Sequence, residues 1–374
     1  MNAWANVGST LAAEQAEATL EALMQKAKAE KSHNRNSDNE NSKLVQIRPD
    51  TIVFNSVIQC WANSGDIRAG EKSLQLLEQM KRLAGISSEN NDDKHDKIYF
   101  DTHPDIITYN TVLSAWSRCG KKNAAPQAEK IVKELIIEQQ EETDFENVAK
   151  TPIVANRITF NTVLDAWSRS RLPGAAGRAE KLLKYMIQSD NIEIKPDIYS
   201  FTCVMNAWAK SKEEPHKAFH TRQLLDQLIE THQKALQNSD RRKARALQPT
   251  AIPYNTVLNA CAFSALKTSQ DEQREAIKIA VDTYKDMSSL ESRSGQKGNQ
   301  RMVFRDTVTY GLMLKAIANL MPKGKIRNQM AIQIFQECCN DGLVGFLVWN
   351  EGELNQSIII SSHCCCYSYR SIDL

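Results

Sequence analysis

A short motif recurs along this chain, and its repetition constrains the fold more than any other feature of the sequence. The clearest copy, PDIITYNTVLSAWSRCG, occupies Pro104–Gly120. Related copies occupy Pro49–Gly65, Ala155–Arg171, Pro196–Lys212 and Pro249–Ala265. A weaker copy begins at Arg305, and the residues from Met1 to Asn6 match the second half of the motif. A chain made of one recurring segment is expected to stack its repeats into an array with a continuous core.

Each repeat is predicted to form two amphipathic helices joined by a short loop. In the clearest copy, Tyr109, Val112, Leu113 and Trp116 have the i, i+3, i+4, i+7 spacing of a helix with one apolar face. Pro-Asp pairs before the motif favour a helix start, since Asp caps helices well. An Ala-Glu-Lys signature, as at Ala128–Lys130, then begins a second helix. The predicted fold class is all-α, a solenoid of stacked helix-turn-helix repeats.

The predicted array covers residues 1–342, with repeats at about 1–50, 51–105, 106–156, 157–197, 198–250, 251–306 and 307–342. We expect the first repeat to be cut short, and we expect the tail at 343–374 to be disordered or foreign to the native protein. Polar segments follow the second helices and make the repeat spacing irregular. They are expected to form disordered or extended loops at Lys28–Lys43, Ser87–Lys97, Gln139–Lys150 and Gln233–Arg245.

Charge and hydropathy argue against two classes of protein: a polycation that binds nucleic acid or membranes over its whole surface, and a protein with a transmembrane helix. The net charge is only +2, so any surface that binds an anion must arise from a local arrangement. No run of about 18 apolar residues is present, which argues against a transmembrane helix. No basic or Arg-rich targeting segment follows Met1.

The cysteines favour packing over metal binding. Cys60, Cys119, Cys203 and Cys261 lie within predicted helices and are expected to be buried free thiols. A second group superficially resembles a zinc site and comprises Cys338, Cys339, His363 and Cys364–Cys366. Adjacent cysteines converge poorly on a tetrahedral ion, because zinc sites typically separate paired ligands by about two to four residues. We therefore expect neither a metal nor any other cofactor.

The Pro-Asp, Thr-Tyr-Asn-Thr-Val-Leu and Ala-Trp elements together resemble the pentatricopeptide repeat, and the resemblance covers about Met1 to Asn340. It implies a right-handed α-solenoid that holds single-stranded RNA along its inner groove, one nucleotide per repeat. Members of this family act mostly in mitochondria or plastids, in transcript stabilisation, processing, splicing or translation. The implied partners are single-stranded RNA and other RNA-processing proteins, with neither a membrane nor a small-molecule substrate.

A second face of each first helix carries residue types that can contact RNA. In the clearest repeat, Ile107, Asn110, Ser114 and Arg118 form a stripe separate from the apolar one. The apolar residue can pack against a base, the amide can hydrogen-bond to a base edge, and the cation can contact phosphate. The expected base-packing residues are Ile52, Ile107, Ile158, Tyr199, Ile252 and Val308, and the expected phosphate contacts are Arg118, Arg169 and Lys210.

In the family, the residue after the aromatic and the last residue of the repeat together choose the base. Carried over to this sequence, the pairs are Asn55 with Asp105, Asn110 with Asn156, Asn161 with Asp197, Thr202 with Thr250, and Asn255 with Asp306. The family pattern implies that Asn/Asp pairs favour U and that the Asn/Asn pair favours C, giving 5′-U-C-U-N-U-3′. The Thr202 pair departs from the well-defined combinations, and Gly311 lacks an amide, so both repeats are unassigned.

The sequence also bears on two other functions, enzyme activity and protein binding. Some relatives carry a zinc deaminase-like or metal nuclease domain, but neither signature occurs here, so we expect no enzyme activity. The alternative is a protein-protein scaffold that holds an extended peptide along the same groove. The basic run Arg241–Lys243 with Arg245 could contact phosphate, but it is expected to lie in a solvated loop.

Overall fold

The structure is a computed structural model that describes residues 2–34, 49–85, 102–143, 153–211, 214–264, 269–294 and 303–344. Within these ranges the regular secondary structure is entirely helical, which confirms the predicted all-α class. The first helices of the repeats are α1 (Asn2–Ala5), α3 (Thr51–Ser64), α5 (Ile106–Arg118), α7 (Arg157–Ser170), α9 (Ile198–Lys210), α12 (Ala251–Ala262) and α14 (Thr307–Leu320). The second helices are α2 (Thr10–Asn34), α4 (Ala69–Leu83), α6 (Ala124–Thr143), α8 (Ala175–Gln188), α10 (Lys217–Gln237), α13 (Gln270–Ser294) and α15 (Lys325–Asn340). A 3₁₀ turn at Ile192–Ile194 and a short helix, α11 (Arg241–Ala246), lie between repeats.

The chain divides into two compact units. The first unit contains Met1–Ser170 and Ser189–Lys195, and the second contains Arg171–Gln188 and Pro196–Leu374. In the first unit, α3 packs against α5 and α5 against α7, so the first helices form a row. In the second unit, α9, α12 and α14 form an equivalent row. Each row is buttressed by second helices that pack against two successive first helices, as α4 does with α3 and α5.

The predicted apolar stripes form the core of each unit. Phe54, Tyr109 and Phe160 are buried in the first unit, as are Phe201, Tyr254 and Tyr310 in the second. The tryptophans at Trp61, Trp116, Trp167 and Trp208 are also buried, as predicted, whereas Trp4 is half-buried.

The four cysteines within the first helices or at their ends are buried and free, as the sequence predicted: Cys60, Cys119, Cys203 and Cys261. Burial raises the pKa of the Cys261 thiol to about 12, so this side chain packs as a protonated, apolar group. No cluster of potential metal ligands occurs in the described ranges, and Cys364–Cys366 lie outside them. No helix in the described ranges is long and apolar enough to cross a membrane.

The glutamate of the Ala-Glu-Lys signature has a stacking role that the sequence did not reveal, and Glu17, which lies between Ala16 and Ala18, has the same role in α2. The indole Nε1 of Trp61 donates a hydrogen bond to Glu17 Oε2 at 3.1 Å, and Trp167 donates to Glu129 at 3.0 Å in the same unit. In the second unit, Trp208 donates to Glu180 at 3.2 Å. Each glutamate lies on the second helix of the preceding repeat. A hydrogen bond therefore accompanies the apolar contact between successive repeats.

Trp116 breaks this pattern and packs more closely instead. The equivalent glutamate, Glu71, is held by Lys121, and the Trp116 indole N–H has no acceptor in the described part of the chain. The ring lies directly over Gly70, where a Cβ atom would come within 2.5 Å of Trp116 Cδ2. The other signatures carry Ala128 and Ala179 at this position. Gly70 is therefore required by the close approach of the indole.

The predictions for the polar segments were partly wrong. Helices α2, α6 and α10 continue to Asn34, Thr143 and Gln237, so they include residues that we expected in loops. Most of Gln233–Arg245 is helical, because α10 is followed by a turn and then α11. These segments are rich in Glu, Gln, Lys and Ala, which favour helix even where no apolar face marks it. Ser87–Lys97 and residues 35–43 and 144–150 lie outside the described residues, as does the tail from residue 345.

We expect Gly70→Ala to lower the free energy of unfolding by about 1–3 kcal/mol, because the added methyl group would force the Trp116 ring or the α4 backbone to move. The measurement is urea denaturation followed by circular dichroism. The matched control is Gly177→Ala in α8, where nothing lies within 4 Å of the added Cβ. The control should be neutral or stabilise by up to about 1 kcal/mol. Equal effects of the two substitutions would contradict the packing assigned to Trp116.

Candidate nucleic-acid interface

The residue predicted to close each repeat is the N-cap of the following first helix. The Asp105 carboxylate accepts a hydrogen bond from the backbone N–H of Thr108 at 2.7 Å. Asp50, Asp197 and Asp306 accept the corresponding bond from the third helical residue at 2.8, 3.0 and 2.8 Å. Asn156 does the same through its side-chain oxygen, which accepts from Thr159 N at 3.2 Å. The predicted base-reading residues Asp105, Asn156, Asp197 and Asp306 therefore have a structural role in starting the helices, as does Asp50.

A buried threonine hydroxyl joins each of three caps to the predicted reading residue of the preceding repeat. The Thr108 hydroxyl accepts from the Asp105 backbone N–H at 3.1 Å and donates to Asn55 Oδ1 at 2.7 Å. Equivalent donations run from Thr159 to Asn110 at 2.8 Å and from Thr309 to Asn255 at 2.7 Å. All three threonine side chains are fully buried.

These threonines were not among the residues predicted for the site. The available signal was the recurring Thr immediately before the aromatic residue of the motif, as in Thr108-Tyr109 and Thr159-Phe160. Its partner lies in the preceding repeat, 53 residues away for Thr108 and Asn55. A sequence pattern within one repeat cannot reveal that contact.

The structure brings three of the predicted pairs together. Asn55 Nδ2 donates to Asp105 Oδ1 at 3.3 Å. Asn255 Nδ2 lies 3.1 and 3.3 Å from the two carboxylate oxygens of Asp306. Asn110 and Asn156 meet at the Thr159 hydroxyl, which is 2.8 and 3.2 Å from their side-chain oxygens.

The pairing of Asn161 with Asp197 stays a prediction, because these two residues belong to different compact units. Asn161 itself is buried, with 9% of its surface exposed. It is more enclosed than Asn55, Asn110 and Asn255, which are half-buried.

The Thr202 and Thr250 pair lacks this network. The Thr202 hydroxyl donates to the Ile198 carbonyl of its own helix at 2.7 Å. Thr250 occupies the cap of α12 but makes no side-chain capping bond. The third residue of α12 is Pro253, which has no backbone N–H to donate and no hydroxyl to hold a neighbour. The repeat that departs from the family pattern therefore differs at three positions together, Thr202, Thr250 and Pro253.

The predicted base-packing residues form an exposed apolar series. Each occupies the second position of a first helix, directly beside the cap, and each side chain is between 45% and 71% exposed: Ile52, Ile107, Ile158, Tyr199, Ile252 and Val308. Water contact with so much apolar surface is unfavourable, and recurrence at one position suggests a surface that another molecule covers.

The predicted phosphate contacts have varied surroundings. Arg118 Nη1 donates to Asn63 Oδ1 at 3.1 Å. Arg169 Nε donates to Asp165 Oδ2 at 2.7 Å, so its charge is locally balanced. Lys210 is exposed as the last residue of α9. Their contact with phosphate stays a prediction.

Thr108→Val tests the network between repeats. Valine preserves the shape but removes the hydroxyl that bonds Asn55 and Asp105, so we expect a loss of about 1–3 kcal/mol in the free energy of unfolding. The control is Thr162→Val, whose hydroxyl bonds only to the Ile158 carbonyl of its own helix, and it should cost well under about 1 kcal/mol. Urea denaturation of both variants gives the comparison, and equal losses would refute the linking role of Thr108.

Comparison with known proteins gives two related chains from Arabidopsis thaliana. No protein-family model matches the chain. It is 24% identical over 216 residues to a chloroplastic pentatricopeptide repeat-containing protein, covering 58% of this chain and 21% of that relative. It is 28% identical over 112 residues to a second pentatricopeptide repeat-containing protein, covering 30% of this chain and 16% of that relative.

The chain thus spans about a fifth or less of the length of these relatives. The names of both relatives refer to the repeat that the motif resembles. The recurring motif, the helical hairpins and these relatives together show that the described part of the chain is similar to pentatricopeptide repeat-containing proteins.

Proposed function

We propose that the chain binds single-stranded RNA along its rows of first helices, one base per repeat, and acts in organellar RNA metabolism. The observation that carries the proposal is a constellation that recurs in both compact units. An exposed apolar residue, Ile107 or Val308, stands beside a cap carboxylate that is hydrogen-bonded to Asn55 or Asn255. Apolar side chains can cover a base face while the paired polar groups meet its edge. The chloroplastic relative supports an organellar setting.

The capping geometry decides which atoms of the Asn55 and Asp105 pair remain for a base. The Asn55 oxygen accepts from the Thr108 hydroxyl, and one amide N–H donates to Asp105 Oδ1. Asp105 Oδ1 also accepts the capping N–H. The groups that remain for a base are the second N–H of the Asn55 amide and the unused lone pairs of the Asp105 carboxylate. Uracil complements this arrangement, because its edge carries carbonyl acceptors beside the N3–H donor.

The Asn110 and Asn156 pair leaves a different set of atoms. The Asn156 oxygen accepts the backbone N–H of Thr159, so its amide NH₂ is the group that remains. A donor therefore stands where the Asp105 pair offers an acceptor. Cytosine fits this change, because its N3 accepts a hydrogen bond whereas the N3 of uracil donates one. The same residue types at Asn161 with Asp197 and at Asn255 with Asp306 favour U, giving a target of 5′-U-C-U-N-U-3′.

Asp105→Asn should change the first base preferred from U to C. Asparagine can keep the cap through its oxygen, but it replaces the outward acceptor with a donor. We expect the preference for 5′-UCUNU-3′ over 5′-CCUNU-3′ to reverse, with a change of about 1–3 kcal/mol in relative binding free energy. Fluorescence anisotropy with the two labelled RNAs at one fixed salt concentration measures it.

The matched control is Asp50→Asn. Asp50 makes the same cap on α3, but it belongs to none of the predicted reading pairs. This variant should leave base preference unchanged while carrying the same loss of charge. A wild-type preference that survives Asp105→Asn would contradict the reading assigned to this pair. A folded wild-type chain that binds an extended peptide but no RNA would favour the protein-protein scaffold instead.

A further inference from the structure

Helix α11 carries a cluster of cations that the base-reading rows do not use. Arg241, Arg242, Lys243 and Arg245 are all exposed, although the whole chain has a net charge of only +2. None of the four side chains forms an ion pair or hydrogen bond with the described part of the chain. The adjacent acid does not neutralise them in a side-chain pair, because Asp240 Oδ1 accepts the backbone N–H of Lys243 at 3.0 Å.

This cluster lies on an ordered platform. Ala244 and Leu247 are buried, which fixes the inner side of α11. His232 Nδ1 lies 2.8 Å from the Ala244 carbonyl oxygen and ties the short helix to α10. The Asp240 backbone N–H also donates to Ala235 O at 3.0 Å. Cations on a fixed backbone lose less conformational freedom on binding a ligand than cations on a disordered loop.

The position of α11 brings these charges close to the second row of first helices. Only five residue steps separate Arg245 from Thr250, the cap of α12. An extended chain advances at most about 3.6 Å per residue, so the two Cα atoms are within about 18 Å. Ile252, with its exposed side chain, begins the same helix. A single strand lying along the row needs only a few nucleotides to reach α11.

The cluster also accompanies the repeat whose pair, Thr202 and Thr250, lacks the hydrogen-bond network of the others. The Thr202 hydroxyl donates a hydrogen bond to the Ile198 carbonyl of its own helix, and Thr250 makes no side-chain capping bond. We propose that α11 binds phosphate groups of the RNA strand beside this repeat and supplies affinity there without choosing a base. This inference rests on the proposed function, since it requires a single-stranded RNA along the row. Contacts with phosphate hold a strand without reading its sequence.

The test is a variant with Arg241→Gln, Arg242→Gln and Arg245→Gln, compared with wild type on a single-stranded RNA that contains 5′-UCUNU-3′ with flanking nucleotides. Each lost phosphate contact should reduce the slope of log K against log salt by about 0.7 and weaken binding about 5-fold at 0.1 M salt. The ratio of affinities for 5′-UCUNU-3′ and 5′-CCUNU-3′ should not change, because no reading pair is altered. Circular dichroism checks that both chains are folded.

Two control variants distinguish the effect of where the cations lie from the effect of the net charge of the chain on RNA binding. Lys181→Gln, Lys278→Gln and Lys285→Gln remove the same charge from exposed positions on second helices of the same compact unit, and they should leave the slope unchanged. Arg241→Lys, Arg242→Lys and Arg245→Lys keep the charge and should retain most of the affinity. The inference would be overturned if the glutamine variant of α11 kept the wild-type affinity and slope. It would also be overturned if substituting Lys181, Lys278 and Lys285 by Gln lowered the affinity and the slope as much as the substitutions in α11 do. Failure of the wild-type chain to bind RNA would overturn the proposed function itself.

Discussion

The hydrogen bond from the third backbone N–H of a first helix to its cap side chain, made at α3, α5, α7, α9 and α14, is the interaction on which the candidate interface depends. It fixes Asp50, Asp105 and Asp306 in nearly the same extended backbone conformation, with φ of −115°, −119° and −117°. The carboxylates therefore project from the equivalent point at the start of each of these three helices. At Asp105 and Asp306, the buried threonine hydroxyl then positions an asparagine of the preceding repeat against the cap. Helix initiation, contact between repeats and proposed base reading share one set of atoms.

Packing makes this geometry reproducible from repeat to repeat. Helix α5 lies between α3 and α7 on the first row, α12 lies between α9 and α14 on the second, and second helices support both. Trp61, Trp167 and Trp208 reinforce the support through indole hydrogen bonds to glutamates of preceding repeats. Where that bond is absent, at Trp116, a glycine lets the ring approach the backbone instead. The exposed face can thus vary in sequence while the buried face preserves the spacing of the helices.

The sequence predicted the first helices and their starting residues because those signals are local. Pro-Asp before a regular apolar stripe marks both the start of α5 and its buried face around Tyr109 and Trp116. The second helices were harder to delimit, because α6 and α10 continue on polar residues with no apolar repeat to mark them. Helix α11 was missed for the same reason.

Contacts between repeats could not be predicted from the motif. The Thr108 hydroxyl meets an asparagine 53 residues earlier, and nothing within one copy of the motif indicates it. The unusual Thr202 and Thr250 pair was recognised from the sequence, but its cause was not. Pro253 explains it physically, since a proline at the third helical position leaves Thr250 without a backbone N–H to accept.

The central claim is that regularly placed cap and asparagine side chains read single-stranded RNA. Selection of the purified chain against a randomised single-stranded RNA pool, at one stated salt concentration, tests it most directly. The account predicts enrichment of 5′-U-C-U-N-U-3′, with a free choice at the fourth position where Thr202 and Thr250 replace the reading pair. A folded chain that enriches no sequence, or one that constrains the fourth position as strongly as the others, would contradict it.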